Sequence, residues 1–474
     1  MTDRPSLSLA DPIEDQTSLA YMLRLSAPTI VSTISFTTMQ FVDRLMVSRL
    51  GKEALAAVLP AGFVAFIPAG FALGTISSLN TYVSQSLGRG DRQSCSNYFW
   101  QTIYMGLAYF IAVVVLMSPT APWIFRLMGQ PPSVIEMEVI YLRIILYAHV
   151  PAVINWASNQ FFIGIHRPIV TMCSSLCGQV VNVMANYLLI FGKFGFPRLG
   201  IAGAGWGTFI GIGVASAVNM FIYLSPTSAS TYRTRHTLRV DFHRMRDLLT
   251  VGLPAGFGQM VDVALWGVIL SALVGRFGEE ALAATSAALA YISLSIMPIV
   301  GLSMALSAAV GKSIGAGRKD RVAKQTRTCL RIALVYMAVV GASFFTFRGS
   351  LMAFWSKDAN VVAVGANILI CAAVYQAFYA ARVIYTGALR GAGDTVWVAY
   401  ASAAGALFVL GLGGAVVVAF LPRLGAMGPW LAATTSIIAV GLANAWRFRT
   451  KRWMTIDLFK RKPGAPPLQN GSPA

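Results

Sequence analysis

Twelve times along the chain an apolar run reaches the length of a membrane-spanning helix. The runs cover 24–48, 54–86, 98–120, 136–162, 168–192, 201–224, 247–275, 281–311, 328–347, 360–387, 395–420 and 427–447. About 20 helical residues cross the hydrocarbon core of a bilayer. Lipid offers the backbone no hydrogen bonds, so such runs fold as helices that satisfy their own N–H and C=O groups. Charged residues make up 12% of the chain, against roughly 25% in a soluble domain. A water-soluble fold could not hide this much apolar sequence. The expectation is an all-α polytopic membrane protein of twelve transmembrane helices.

The formal charge of +19 would suggest nucleic acid in a soluble protein. Here the cations sit in short breaks between the runs, where they set orientation instead. With the N-terminus in the cytoplasm, roughly 25 Lys and Arg fall on the cytoplasmic side and roughly 9 on the other. Both termini are therefore expected inside the cell. The N-terminal stretch lacks the basic start and short apolar core of a signal peptide, so the first run is expected to stay as a span. Five scattered cysteines form no disulfide or zinc pattern, and Cys173 and Cys177 are expected to pack as small buried residues.

The chain repeats itself. "RLGKEALAAVLPA" at 49–61 matches "RFGEEALAATSAA" at 276–288 in eight of thirteen positions. The same offset of 227 carries Gly74 to Gly301, Gly88 to Gly315 and Gly90 to Gly317. Later, "PRLGIAGAGW" at 197–206 resembles "PRLGAMGPW" at 422–430. Six spans per copy is an even number, so the copies enter the membrane in the same direction. They are expected to be related by a pseudo-twofold axis along the membrane normal, as in many transporters. The expected organisation is a cytoplasmic tail 1–23, an N-lobe 24–230, a cytoplasmic linker 231–246, a C-lobe 247–447 and a basic cytoplasmic tail 448–474.

Ionisable residues inside spans are costly and mark function by default. Asp43 lies in the first span, with Gln40 one turn earlier on its face. An ion pair with Arg44 or Arg49 is the structural alternative, though adjacent helical residues face apart. Asp262 lies in the seventh span, flanked on one face by Gln259 and Trp266. In the fifth, Ser175, Gln179, Asn182 and Asn186 share one face, which suits a polar cavity or hydrogen-bonded helix packing. The fourth adds Asn155 and Asn159. The tenth adds Tyr375, Tyr379 and Arg382, the last expected to reach toward the inner interface. Gly203, Gly207 and Gly211 read as a close-packing stripe.

These stretches together resemble the multidrug and toxin extrusion (MATE) family, over about residues 20–450. The carriers are "MQFVDRLMVSRLG", "VNVMANYLLIFGKFGFPRLGIAGAGWGT", "VGLPAGFGQMVD" and "YTGALRGAGDT". The resemblance implies two six-helix lobes forming a V around a cavity, and export of drugs, often cationic and aromatic, against inward H⁺ or Na⁺. It implies a cation or proton site at Asp43, Asn182 and Asn186. A seventh-span acid falls on Asp262, where Glu is usual. A tenth-span acid falls on Tyr379, and this departure argues against a Na⁺ site there and for H⁺.

No P-loop, catalytic motif or metal cluster is present, so no enzyme activity, cofactor or metal is expected. The partners expected are a small-molecule substrate, a coupling ion (H⁺ or Na⁺) and membrane lipid, with no nucleic acid, for a monomer in a bacterial inner membrane. The substrate-cavity residues expected are Gln40, Gln179, Asn155, Asn159, Gln259, Trp266, Tyr375 and Tyr379. A flippase for lipid-linked oligosaccharides, or an exporter of one metabolite, are the alternative functions.

Overall fold

The computed structural model of the protein describes residues 16–459 apart from 265, 267 and 268. The tails expected to be cytoplasmic therefore lie in part, at 1–15 and 460–474, outside the described residues. Twelve long helical segments run back and forth, and no strand occurs among the described residues. They are α1 (Leu19–Ser48), α2 (Lys52–Ile76 and Ser78–Gly88), α3 (Arg92–Leu127), α4 (Pro132–Gly164), α5 (Pro168–Phe191) and α6 (Ile201–Tyr223). Then come α7 (Phe242–Ala264 and Leu270–Gly275), α8 (Glu279–Gly315), α9 (Lys319–Trp355), α10 (Ala359–Ala392), α11 (Thr395–Phe420) and α12 (Met427–Arg449).

Ten of the twelve are long and apolar enough to cross a membrane on length and composition alone. The other two are α7 and α12. The first is described as two pieces, Phe242–Ala264 and Leu270–Gly275, and 265, 267 and 268 between them lie outside the described residues. The second is diluted by Thr434, Thr435, Ser436 and Asn444. Large apolar side chains such as Leu116, Leu127, Val335 and Phe408 stand exposed on the outer surface, as a lipid-facing surface requires.

The two halves pack alike. In the first, α1 packs on α5, α5 and α4 on α6, and α2 and α3 on α4. In the second, α7 packs on α11, α11 and α10 on α12, and α8 and α9 on α10. Each pairing maps onto its counterpart by adding six. The turns repeat too: Gly51 and Gly278 enter α2 and α8 at φ +118° and +96°, where an L side chain would be strained.

The halves meet through α1, α2, α7 and α8. Because the helix number is even, the start of α1 at Leu19 and the end of α12 at Arg449 lie at one end of the bundle, the terminus side. Thr29 Oγ1 donates to the Gly301 carbonyl at 2.9 Å, and Thr33 Oγ1 to that of Met297 at 3.0 Å. Nearer the terminus side, Thr81 Oγ1 donates to Arg390 O at 2.8 Å and Gln85 Nε2 to Gly391 O at 3.0 Å. A Cβ on Gly88 would collide with the Lys312 carbonyl, and one on Gly315 with the Gln85 carbonyl. The offset of 227 exchanges 85 with 312 and 88 with 315, so this is one contact made twice about the pseudo-twofold axis. Of the glycines repeated in the sequence, the pairs Gly74/Gly301 and Gly88/Gly315 lie where the halves touch.

Two further segments close the terminus side. Residues 233–241 dock on α3, with Trp100 Nε1 donating to Thr234 O at 2.9 Å and Gln101 Nε2 to Arg239 O at 2.9 Å. After α12 the chain crosses between the halves. Trp453 is buried in the second half's core, while Phe459 lies edge-on to Tyr82 (5.9 Å) and under Arg89 (4.1 Å) in the first. Asp457 pairs with Arg89 at 3.5 Å.

Candidate ion and substrate sites

In the first half, glycine packing builds the polar site. Gly207 leaves no space for a Cβ beside the Asn186 side chain, and Gly211 sits 2.5 Å from Asn182 Cβ by the same measure. The stripe on α6 therefore lies directly on the polar face of α5. Asn182 and Asn186 are both buried. Asn186 Nδ2 donates to Asp43 Oδ1 at 2.6 Å, and weakly to Asn182 Oδ1 at 3.4 Å. Asp43 makes no ion pair with Arg44 or Arg49 in the structure; its partner is an amide on another helix. Asn182 Nδ2 and Asn186 Oδ1 take no hydrogen bond among the described residues. Gln179, with its amide turned so that both ends find partners, donates to Ser35 O at 3.3 Å and accepts from Phe36 N at 3.2 Å on α1. Gln40 stands exposed one turn before Asp43.

Asn155 and Asn159 are not beside Asp43. Asn219 Nδ2 donates to Asn155 Oδ1 at 2.9 Å and to Asn159 Oδ1 at 3.3 Å, tying α4 to α6. Asn219 lies eight residues beyond Gly211, or roughly 12 Å along the helix. It continues the four-residue spacing of Gly203, Gly207 and Gly211, which was the signal that could have found it.

In the second half, Arg382 does not reach for the membrane interface. Its Nη2 donates to Asp262 Oδ2 at 2.6 Å, with side-chain exposures of 13% and 25%. Tyr375, Tyr379 and Arg382 share one face of α10, and Asp262 of α7 lies within reach of Arg382, so the guanidinium finds a carboxylate before it finds the interface. The rings of Tyr375 and Tyr379 lie 6.4 Å apart. Gln376 Nε2 donates to Ser295 Oγ at 3.1 Å. Gln259 and Trp266 are half-buried one turn either side of Asp262, and Trp266 packs on the second half's core.

Cys173 and Cys177 are exposed rather than buried. The face of α5 that packs on α6 is the one bearing Gly178 and Asn182, so the cysteines point outward. A third acid, Glu138 on α4, is fully buried with neither oxygen hydrogen-bonded among the described residues. Near the start of its run and beside Glu136, it reads from sequence as a boundary charge. Among the described residues no three His, Cys, Asp or Glu side chains converge to hold a metal. A separate groove of about 310 Å³ between α7 and α11, lined by Leu253, Phe257, Val396 and Tyr400 among others, holds no charged side chain.

A duplicated twelve-helix membrane bundle with one polar, carboxylate-bearing site inside each half is the build of a polytopic transport protein. The MatE family model matches residues 28–188 and 254–415, and the chain belongs to that family. It is 30% identical over 441 residues to a probable multidrug resistance protein NorM of Chromobacterium violaceum, covering 88% of this chain and 90% of that one. It is 29% identical over 401 residues to the multidrug resistance protein PmpM of Pseudomonas aeruginosa, covering 82% of each. In fold it is similar to an outward-facing multidrug resistance MATE family transporter, with TM-score 0.84 at 20% identity over 91% of this chain and 96% of that one.

Proposed function

We propose that this protein exports organic, cationic or aromatic compounds by antiport against protons, through alternating access of two lobes, 24–230 and 247–447. The observation that carries this reading is Asp43, a carboxylate within a span held by Asn186 at 2.6 Å with no basic side chain ion-paired to it among the described residues. A carboxylate so placed can bind a proton from one side and release it to the other, biasing the lobe between two states. One charge moving through 100 mV is worth about 2.3 kcal/mol. That is nearly two decades of substrate gradient at about 1.4 kcal/mol each. Protons are favoured over sodium because the second half's carboxylate already has a guanidinium partner and Tyr379 adds no acid.

The terminus side is proposed to be cytoplasmic, in a bacterial inner membrane, and the protein to work as a monomer. Export is tested by uptake of a fluorescent cation into inverted vesicles under an imposed pH gradient. Uptake driven as well by a sodium gradient alone, at equal pH, would refute proton coupling. A reporter fused after residue 474 is expected to be active in its cytoplasmic form.

A further inference from the structure

At the end of the bundle opposite the termini, α3 and α4 leave a groove of about 670 Å³ between them. From α3 it takes Pro122 and Arg126, and from α4 Ile135, Glu136, Val139 and Arg143. The spacing puts each set on one stripe of its helix. Pro122 has no N–H, so the Ser118 carbonyl one turn earlier loses its helical donor. Arg143 Nε fills that gap at 3.1 Å. The bond pins the base of the guanidinium, while its two terminal nitrogens make no hydrogen bond among the described residues. Helical side chains lean toward the N-terminus of their own helix. Because α3 runs outward and α4 runs back, Arg126 leans into the groove and Arg143 leans up to meet it. Glu136 stands two turns outward of Arg143, about 10 Å along the helix. Among the described residues it is ion-paired with neither arginine. One acid and two bases thus line one groove without neutralising each other. Further into the membrane the surface beside the groove turns apolar, with Ile111 and Val115 of α3 and Tyr147 of α4 exposed. Trp123, next to Pro122, is 64% exposed. An exposed Trp at that level marks the boundary between hydrocarbon and headgroups.

We propose that this groove binds the headgroup of a phospholipid that carries both a phosphate and a primary ammonium, as phosphatidylethanolamine does. The phosphate lies between the two guanidinium groups, whose planar forks match its oxygens. The ammonium lies outward at Glu136 and donates to its carboxylate. A choline headgroup has no N–H to donate there, and a glycerol headgroup brings no cation. The acyl chains run inward over Ile111, Val115 and Tyr147. Basic pockets between transmembrane helices take phosphate headgroups, and the acid at the mouth of this one selects the zwitterion. The inference does not depend on the export reading, since lipid reaches the groove from the surface that bears Trp123 and Ile140.

The test is native mass spectrometry of the whole purified protein in detergent, titrated with four lipids of matched acyl chains. They are phosphatidylethanolamine, phosphatidylcholine, phosphatidylglycerol and diacylglycerol, the last without a phosphate. The wild type is expected to retain phosphatidylethanolamine about threefold or more better than each of the others. Arg126→Gln is expected to weaken phosphatidylethanolamine about three- to fivefold, the range of an exposed ion pair, and to leave diacylglycerol unchanged. Glu136→Gln is expected to erase the preference over phosphatidylcholine and to bring phosphatidylglycerol level. Arg126 and Glu136 are exposed, so both variants are expected to fold. Equal retention of the four lipids by the wild type overturns the proposal, as does a preference for phosphatidylglycerol or phosphatidylcholine. So does an Arg126→Gln variant that loses phosphatidylethanolamine and diacylglycerol alike, or loses neither. A preference for phosphatidylethanolamine that survives Glu136→Gln overturns the selection of the zwitterion by that acid.

Discussion

One amide holds the carboxylate on which coupling is proposed to depend. Asp43→Asn keeps the side chain's size and removes its titratable charge. It is expected to insert and fold normally, while pH-driven uptake into inverted vesicles falls to background. Uptake like wild type, at matched protein levels, would take Asp43 out of the mechanism. Asn186→Ala removes a hydrogen bond to a charged group, worth about 1.5–3 kcal/mol. It is expected to cut uptake roughly tenfold or more. The turn between α4 and α5 carries a different kind of titration. His166 Nδ1 meets Tyr21 Oη at 2.9 Å and Nε2 meets the Ala308 carbonyl at 3.2 Å, which suits a neutral ring. Burial first, and then the nearby Lys312, lower its pKa from 6.5 to about 3. Between those values the unfolded chain binds a proton that the folded one refuses, so this contribution to stability is present above pH 6.5 and declines as pH falls. At pH 5 the loss is on the order of 1–2 kcal/mol. His166→Gln is expected to flatten the acid limb of thermal stability in detergent; an unchanged limb would show that another group sets it. Asp43 and Asp262 stand out in sequence because an acid inside an apolar run is costly. Which group answers each acid is a matter of how neighbouring helices rotate, and one chain read alone does not contain that. Arg382 shows the difference, since its own helix gives its face but not the carboxylate opposite.

At the level of elements, α6 sets the site by what it lacks. Gly207 allows Asn186 to stand where it reaches Asp43, whereas Gly213 on the same helix has no atom within 4 Å of an added Cβ. Gly207→Ala is expected to displace the amide, lower stability by about 1–3 kcal/mol and abolish uptake. Gly213→Ala is expected to be neutral or slightly stabilising. Equal behaviour of the two in thermal unfolding and uptake would show that the close approach has no bearing on the site. The small-residue stripe and the polar face of α5 were both legible from spacing; that they meet each other was not.

Across the whole molecule, the repeat was legible because duplicated turns need glycine at duplicated places. The direction of its axis was legible from the even number of spans; where the axis passes was not, because it runs through a contact between backbones. Gly88→Ala and Gly315→Ala each push a methyl against a carbonyl of the facing helix. Either is expected to wedge α2 and α8 apart and favour the form open on the terminus side. Spin labels at residues 93 and 324 are expected to report a longer distance in the double variant; an unchanged distribution would mean that the crossing does not govern opening. The segment 450–459 adds a time constant to the same movement. It is rooted in one half by Trp453 and hooked into the other by Phe459, so each opening of that side has to unhook an aromatic ring before the halves part. A transporter built this way would carry its own escapement, with residues 450–459 setting how long the closed form persists between strokes. Phe459→Ala is expected to shorten that dwell in single-molecule energy-transfer traces, and unaltered dwell times would leave the hook without a kinetic role. The cycle would then run faster but hold a poorer gradient, because the door that slips its latch sooner also closes less firmly against leak.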